Sequence, residues 1–383
     1  MRRLRAALPA LLAAAAGCAA SAPDPGAVRR DSAGVAVVDN RAPRWARGRE
    51  WRLDTARALP LEISEDDGAV FAVLPGGAFA VANDRGRIAW YDRRGKAKRG
   101  TVLPDSPAVG ALLVRPAGGL IAWDADRLAA VEVDADGRPG VTRAYEAVLP
   151  RGSVVPLGAL GDGSVLVSAS DRAIFTPNPL PTRDTVPLLR LGPAGEHTRI
   201  LTVPGPEEIT VEVPGGPGIP GAIRSPAPFA RNAFVAVSGD QVWVADALSG
   251  EMRAYDASGR LRTLVRAPVR GDSAAPEEVA RLRQRLRLLA RSSVPEQRQR
   301  VDSAIVVPAT WPPFAALLAG ARGELWAKAG TPPGRDARWN VFDATGRWLG
   351  EVRVPRSLEL IALGDGYVIA RRDDRLTLIP LET

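Results

Sequence analysis

The 383-residue chain has almost no cysteine and almost no histidine, the side chains on which thiol and imidazole chemistry depend. It contains one cysteine, Cys18, and one histidine, His197. A single cysteine excludes a disulfide within the chain. With one histidine, a histidine-rich metal centre lacks its parts. A thiol–histidine pair or a serine triad would need Cys18, which we expect to be covalently modified, or His197, which we expect at the edge of a sheet. The fold must therefore be held by its core, and 46% hydrophobic residues is enough to build one.

Lysine is also rare, with Lys96, Lys98 and Lys328 as its only occurrences, so arginine carries nearly all of the positive charge. A net charge of +8 and a pI of about 10.4 are compatible with nucleic-acid binding. However, the chain has no run of five or six basic residues. We therefore expect a solvated, arginine-rich surface and no nucleic-acid partner.

Long hydrophobic runs are absent, and the stretch over residues 6–16, which follows three arginines, is too short to cross a bilayer. It ends just before Cys18 and resembles a bacterial lipoprotein signal. Ala15 stands where that pattern prefers leucine. The resemblance implies export, cleavage before Cys18 and a lipid on that residue. The residue after the cysteine is Ala19 and not aspartate, which resembles the pattern that sorts lipoproteins to the outer membrane.

Residues 1–17 are accordingly expected to be a signal peptide, and residues 18–48, small, polar and proline-bearing, a flexible tether. The remainder, 49–383, is expected to be one folded unit. We expect a monomer held to the outer membrane by its lipid.

A repeated Asp-x-x-Gly turn organises this unit, and a basic residue follows each copy. The aspartate can accept a hydrogen bond from the backbone two residues on, and the glycine takes the positive φ that closes the turn. The four clear copies lie at 92–95, 134–137, 256–259 and 343–346, with a weaker one at 192–195.

Around each turn the sequence repeats a unit of four short alternating strands, about 42 residues long where it is uninterrupted. This predicts an all-β, six-bladed β-propeller of four-stranded antiparallel blades. A β-sandwich does not need one four-strand unit six times, and a β-solenoid usually repeats at shorter spacing. The six copies begin near residues 70, 109, 154, 232, 314 and 358.

The sixth copy stops after three strands, which would leave an open sheet edge. A strand from the N-terminal side must complete it. The two candidates are REWRLD at 49–54 and GVAVVD at 34–39.

The blade motifs resemble those of bacterial six-bladed propeller lipoproteins of the NHL-like group, whose function is uncharacterised. The most similar segments are VWVADALSGEMRAYDASGR at 242–260 and AVANDRGRIAWYDRRGK at 80–96. The resemblance implies a fold and, for function, only a binding platform.

Three insertions interrupt the repeat, at 172–186, 205–231 and 268–313. Each follows an even number of strands, so all three are expected on one face, which we call the decorated face. This face is the expected site for a protein or glycan partner. Its candidate contact residues are Arg224, Arg231, Asn232, Trp311 and Phe314.

The third insertion carries a helical pattern between blades four and five, with an apolar stripe of Val279, Leu282, Leu286 and Leu289. The stripe favours packing on the propeller with a solvated basic face. A lid, or a contact with anionic lipid or polysaccharide, stays open as an alternative.

Two classes of function remain. The first is a non-catalytic binding or scaffold protein of the cell envelope that needs no cofactor. The alternative is a calcium-dependent hydrolase or lactonase of the six-bladed kind, for which carboxylates at strand ends would have to converge. The candidates for that role are Asp84, Asp124, Asp171 and Asp246, although aspartate at these positions is also an ordinary turn residue.

Overall fold

The computed structural model describes residues 25–61, 70–149, 152–171, 178–213, 221–227, 229–289, 309–373 and 375–382. These residues form 28 strands, one α-helix and two short 3-10 turns, which confirms the predicted all-β fold. No helix among them has the length and hydrophobicity to span a membrane.

The strands form six sheets in which the strands of the repeat pair antiparallel, and the first repeat strand of each begins within two residues of the expected start. Sheet one has β5 (Val70–Val73), β6 (Phe79–Ala82), β7 (Arg87–Tyr91) and β8 (Ala97–Val102). Sheet two has β9 (Val109–Val114), β10 (Leu120–Asp124), β11 (Ala129–Val133) and β12 (Pro139–Ala144).

Sheet three is extended by the insertions to five strands: β13 (Gly152–Ala159), β14 (Val165–Asp171), β15 (Asn178–Leu191), β16 (His197–Val213) and β17 (Gly221–Pro226). Sheet four is built on β18 (Ala233–Ser238), β19 (Gln241–Asp246), β20 (Glu251–Tyr255) and β21 (Leu261–Arg266).

The helix α1 (Pro276–Leu289) follows sheet four. Sheet five has β22 (Ala316–Ala319), β23 (Leu325–Lys328), β24 (Ala337–Phe342) and β25 (Trp348–Val354). Sheet six has β26 (Glu359–Leu363), β27 (Tyr367–Arg372) and β28 (Arg375–Glu382).

The six first strands contact one another in a closed cycle, in the order β5, β9, β13, β18, β22, β26 and back to β5. Each sheet extends outward from this ring. The ring is therefore propeller-like, and each interface between neighbouring sheets is filled by apolar side chains, among them the fully buried Trp123, Trp243 and Trp326.

The Asp-x-x-Gly turns have the expected geometry. In the turn of sheet four, Asp256 Oδ1 accepts from the backbone N of Ser258 and Arg260, each at 3.0 Å, and Gly259 has φ +82°. A Cβ on Gly259 would lie 1.9 Å from Ile200 O in β16 of sheet three. Glycine is thus needed twice, for its φ and for contact with the preceding sheet.

The turn glycines of sheets one and five make similar close contacts, and that of sheet one lies where the ring closes. A Cβ on Gly346 of sheet five would lie 2.3 Å from the side chain of Val265 in sheet four. Gly95 of sheet one approaches Leu61, whose backbone N donates to Leu376 O of sheet six at 2.8 Å. The first and last sheets are thus joined by a turn glycine that contacts Leu61, which is itself bonded to sheet six.

The N-terminal segment completes the ring. Its strands are β1 (Ala27–Ser32), β2 (Val35–Asn40), β3 (Arg52–Leu53) and β4 (Leu59–Pro60). Both β3 and β4 pair antiparallel with β28, so the REWRLD candidate supplies the missing outer strand of sheet six. The expected closure of the last blade from the N-terminal side is confirmed.

The other candidate, GVAVVD at 34–39, is wrong as the closing strand. It lies in β2, which pairs in parallel with β21 and forms a hairpin with β1, so sheet four has six strands. The folded part therefore begins well before residue 49, and residues 27–40 of the expected 18–48 tether are β-structure. Val37 and Val38 are buried there, which makes docking favourable.

Candidate functional site

The insertions of sheet three form a β-extension on the decorated face. Residues 178–186 of the first insertion lengthen β15, and the second lengthens β16 and adds β17. Residues 172–177 and 214–220 lie outside the described residues. The expected loops are thus, where described, paired strands whose backbone hydrogen bonds fix their course.

One ion pair joins this extension to sheet four. Both terminal nitrogens of Arg183 donate to Asp246 Oδ1, at 3.2 and 3.1 Å, while Arg183 Nε donates to Gly205 O at 2.9 Å. Burial alone would raise the pKa of Asp246. Hydrogen bonds from Leu248 N and from Arg183 outweigh it, and the pKa lies below its ordinary value. The carboxylate is therefore held charged between two sheets.

A second ion pair closes the base of the extension. Arg231 Nε and backbone N both donate to Glu207 Oε2 at 2.9 Å, and its Nη2 donates to the other carboxylate oxygen. Burial raises the pKa of Glu207, but the hydrogen bonds from Arg231 lower it by more. The pKa of Glu207 therefore lies below its ordinary value. Arg231, a predicted partner contact, is thus engaged within the protein.

The second and third insertions meet through two aromatic rings. Phe229 and Trp311 lie edge to face with their centroids 4.2 Å apart. Trp311 N donates to Asp272 O at 2.8 Å, so both ends of the third insertion are held together there. Together with the ion pair from Arg183 to Asp246, this contact confirms that described parts of all three insertions share one face.

The five predicted contact residues have different surroundings. Phe314 is only 2% exposed and packs in the core between sheets four and five, so its prediction as a surface anchor is wrong. Trp311 is half-buried, and its Nε1 has no hydrogen-bond partner among the described residues. Asn232 is half-buried and its carbonyl accepts from Ala247 N at 3.0 Å. Arg224 pairs through its backbone with Thr210, and its side chain lies outside the described set.

The helix predicted in the third insertion is present as α1. Val279 and Leu282 are each half-buried, less than the full burial expected of the stripe. The side chains of Leu286 and Leu289 lie outside the described residues. Glu277 and Glu278 occupy its first turn, where carboxylates interact favourably with the helix dipole.

A central cavity of about 490 Å³ lies at the other face. Its walls are the final residues of the six first strands and the glycine turns that follow them. Ser238 is the one side chain in this lining with a hydrogen-bonding group, and none is titratable. The lining includes Phe71, Leu112, Leu157, Val235, Leu317 and Ile361.

The carboxylates considered as metal ligands do not converge within the described residues. Asp124 Oδ1 accepts from Asp126 N and Arg127 N at 3.1 Å, and Asp246 has the contacts given above. Asp84 is exposed in a turn, and the side chain of Asp171 is not among those described. No three His, Cys, Asp or Glu side chains of the described ranges are placed to hold a metal ion. His197 is exposed at the start of β16.

Sequence reasoning missed a second cavity, of about 660 Å³, at the outer edge of sheet five. Three tryptophans line it, Trp45, Trp51 and Trp348, together with Glu50, Arg52, Glu351 and Arg353. We call it the tryptophan pocket. The repeat could not reveal it, because two of its tryptophans lie about 300 residues before the third and outside the repeated unit. The available signal was Trp45 at the end of the expected tether and Trp51 in the candidate closing strand that follows it.

No protein-family model matches the chain, and no curated protein matches it in sequence. Solved structures with a similar shape include a gluconolactonase from Xanthomonas campestris, at 14% identity over 80% of this chain and 82% of that one, with a TM-score of 0.39. A streptogramin B lyase is 13% identical over 87% and 98%, with a TM-score of 0.42. A virginiamycin B lyase from Staphylococcus aureus is 12% identical over 86% and 99%, with a TM-score of 0.40. Similarities this distant carry no argument about activity.

Proposed function

We propose that this chain is a non-catalytic binding protein of the bacterial cell envelope. It is a six-bladed β-propeller, anchored to the outer membrane by a lipid on Cys18, and it binds a protein partner through its decorated face. The six sheets, the cyclic contacts of their first strands and the completion of the sixth sheet by Arg52–Leu53 support the blade count.

The observation that carries the proposal is that non-covalent contacts tie the three insertions to one another and to the neighbouring sheet. Neutral loop growth would leave each insertion attached only to its own blade. Here Arg183 reaches Asp246 of the next sheet, and Phe229 meets Trp311 of the following insertion. A surface fixed in this way loses little conformational entropy when a partner binds, so more of the contact energy appears as affinity.

The size and shape of this surface favour a protein over a small ligand. It includes the β15–β16 extension, the ion pair at the end of sheet four and the contact between the second and third insertions, whereas the central cavity lies at the opposite face. A protein partner can contact several such elements at once. A glycan at the decorated face is the competing outcome of the test below.

The hydrolase alternative stays a prediction. It requires a metal site, and the aspartates considered for it serve as turn and ion-pair residues in the described part of the chain. Calcium binding by the purified protein decides between the two classes.

Photo-crosslinking in the native envelope tests the proposal. A photoreactive amino acid is placed at exposed positions of the decorated face, Thr185 and Ser273, and, as matched controls, at exposed turn positions of the opposite face, Asp136 and Ser258. We expect one protein to crosslink from Thr185 and Ser273 and from neither control. Equal crosslinking from both faces, or crosslinks only to glycan, would contradict the proposed partner.

Anchoring is tested separately. Mass spectrometry of the native protein should find a lipidated N-terminus at Cys18, and Cys18→Ser should give a form released from membranes. A chain that begins upstream of residue 18 and carries no lipid would disprove the anchor without touching the crosslinking result.

A further inference from the structure

The tryptophan pocket is formed between two strands from distant parts of the sequence. One wall is β25, the outer strand of sheet five. The other is the N-terminal segment 43–55, which includes β3, the strand that pairs with β28. Three of the nine tryptophans of the chain line this one cavity. Each also packs against a blade core, Trp45 and Trp51 against the cluster of sheets five and six and Trp348 against that of sheets four and five. The rings therefore serve as both core and pocket wall.

These tryptophans differ from those of the blade cores. Trp123, Trp243 and Trp326 are 0%, 1% and 0% exposed, whereas the three of the pocket are each half-buried. Trp45 and Trp51 pack with their centroids 5.2 Å apart and 38° between their planes. The pocket indoles therefore keep part of their surface open to a ligand.

The backbone fixes the indoles in place. Arg44 N donates to Trp348 O at 3.1 Å, and Trp45 N donates to Leu349 O at 2.8 Å. Trp348 Nε1 donates to Gly350 O at 3.1 Å. A Cβ on Gly350 would lie 2.3 Å from Cε3 of Trp45, so glycine lets that ring approach the strand. The aromatic wall is thus formed before any ligand arrives.

The lining of the pocket has two acidic and two basic side chains, so their formal charges cancel. Glu50 and Glu351 face a lining that also includes Arg52 and Arg353, and Glu351 lies 3.4 Å from Arg338 and 3.6 Å from Arg353. An anionic ligand would meet two carboxylates and a cationic one two guanidinium groups. An uncharged ligand with many hydroxyls can instead accept from the arginines and donate to the carboxylates.

A peptide added as a further strand fits less well. An extended peptide needs the free backbone edge of β25. Its first part is already used, because Trp348 O, Leu349 O and Gly350 O accept from Arg44, Trp45 and the Trp348 indole. Recognition in this pocket must therefore come mainly from side chains.

We propose that the tryptophan pocket binds an uncharged oligosaccharide. The apolar C–H faces of its sugar rings stack on the indoles of Trp51 and Trp348, and its hydroxyls bond to the charged rim. The pocket volume of about 660 Å³ lies within the range of small-molecule sites. The pocket adjoins the decorated face, because Arg338 pairs with both Glu351 of the pocket and Asp272 of the third insertion. Its test uses isolated oligosaccharides and no protein partner, so it does not depend on the partner proposed there.

Calorimetry on the full chain carrying Cys18→Ser tests the proposal. The probes are the neutral tetrasaccharides chitotetraose, cellotetraose and maltotetraose, with tetragalacturonate and a chitosan tetramer as anionic and cationic controls. We expect at least one neutral probe to bind, and both charged probes to bind more weakly. Trp348→Leu should raise its Kd about tenfold or more, and the control Val102→Ala, at an exposed position in β8 of sheet one, should leave it unchanged.

A second measurement needs no variant and remains informative if Trp348→Leu misfolds. The indole N–H signals of the ¹⁵N-labelled protein are followed by NMR during titration with the neutral probe. Those of Trp45, Trp51 and Trp348 should shift, and those of Trp123 and Trp243 should not. Binding of none of the neutral probes, preference for a charged probe, or shifts confined to other indoles would each overturn the proposal.

Discussion

Replacing Asn40 with alanine is expected to loosen the N-terminal hairpin from the ring. Asn40 is the last residue of β2 and is 6% exposed. Its Nδ2 donates to Arg266 O at 3.1 Å and to Gly346 O at 3.0 Å. Its Oδ1 accepts from Arg347 Nη1 at 3.1 Å and from Trp348 N at 2.8 Å. One side chain thus joins the hairpin to sheets four and five.

The magnitude follows from these four hydrogen bonds. Arg347 Nη1 keeps Ala42 O and Trp348 O as acceptors in the variant, at 2.7 and 2.8 Å. Gly346 O and Trp348 N lose the partners that Asn40 supplies. Since a net hydrogen bond contributes about 0.5–1.5 kcal/mol and a buried group left unsatisfied costs about 1–3 kcal/mol, we expect a loss of about 2–4 kcal/mol.

Urea unfolding of the Cys18→Ser chain measures this loss, with hydrogen exchange of the β2 amides as a second readout. The second readout is needed because the hairpin can open locally without global unfolding. The matched control is Asp39→Ala, one residue earlier, where the pairs with Arg30 and Arg266 at 3.4 and 3.6 Å are partly exposed. That variant should lose no more than about 1 kcal/mol. If Asn40→Ala changes neither the free energy of unfolding nor the exchange of β2, the proposed clamp is refuted.

Three further outcomes are expected. Asp246→Asn removes a carboxyl whose pKa in the folded protein lies below its ordinary 3.8. The loss of stability measured in urea should therefore be full at about pH 7 and shrink as pH falls through that folded pKa. A loss that grows in acid would contradict the ion pair with Arg183. Deleting residues 376–382 should prevent folding, judged by circular dichroism, because it removes most of β28 and the buried Leu376, Leu378 and Ile379. Calcium should leave the melting temperature unchanged, whereas a specific site occupied at 100 times its Kd would add about 2.7 kcal/mol and favour the hydrolase.

The repeat could be predicted because its signals are local. An aspartate and a glycine three residues apart determine a turn through bonds within five residues, as at Asp256 and Gly259. Strand parity then assigns each insertion to a face without any knowledge of its contacts. The face was correct for the described parts of all three insertions, and the ring of first strands follows the order of the copies along the chain.

The contacts that shape the sites could not be predicted, because their partners are distant in sequence. The parallel pairing of β2 with β21 joins residues more than 200 positions apart, and a short apolar run gives no sign of which edge it will cover. Phe314 shows the same limit on a smaller scale. Its proline-rich neighbours indicated an exposed loop, yet its ring fills the core between two sheets.

The N-terminal segment connects these findings. Between residues 27 and 61 it pairs with sheet four, contacts the start of β25 through Arg44 and Trp45, and completes sheet six. On the way it forms one wall of the tryptophan pocket, so that pocket exists only when the segment is docked. If Cys18 carries the proposed lipid, only residues 19–26 separate it from β1, and a chain of that length spans at most about 30 Å. A tether reaching residue 48 would span about 100 Å. The outer edge of sheet four must then lie close to the membrane.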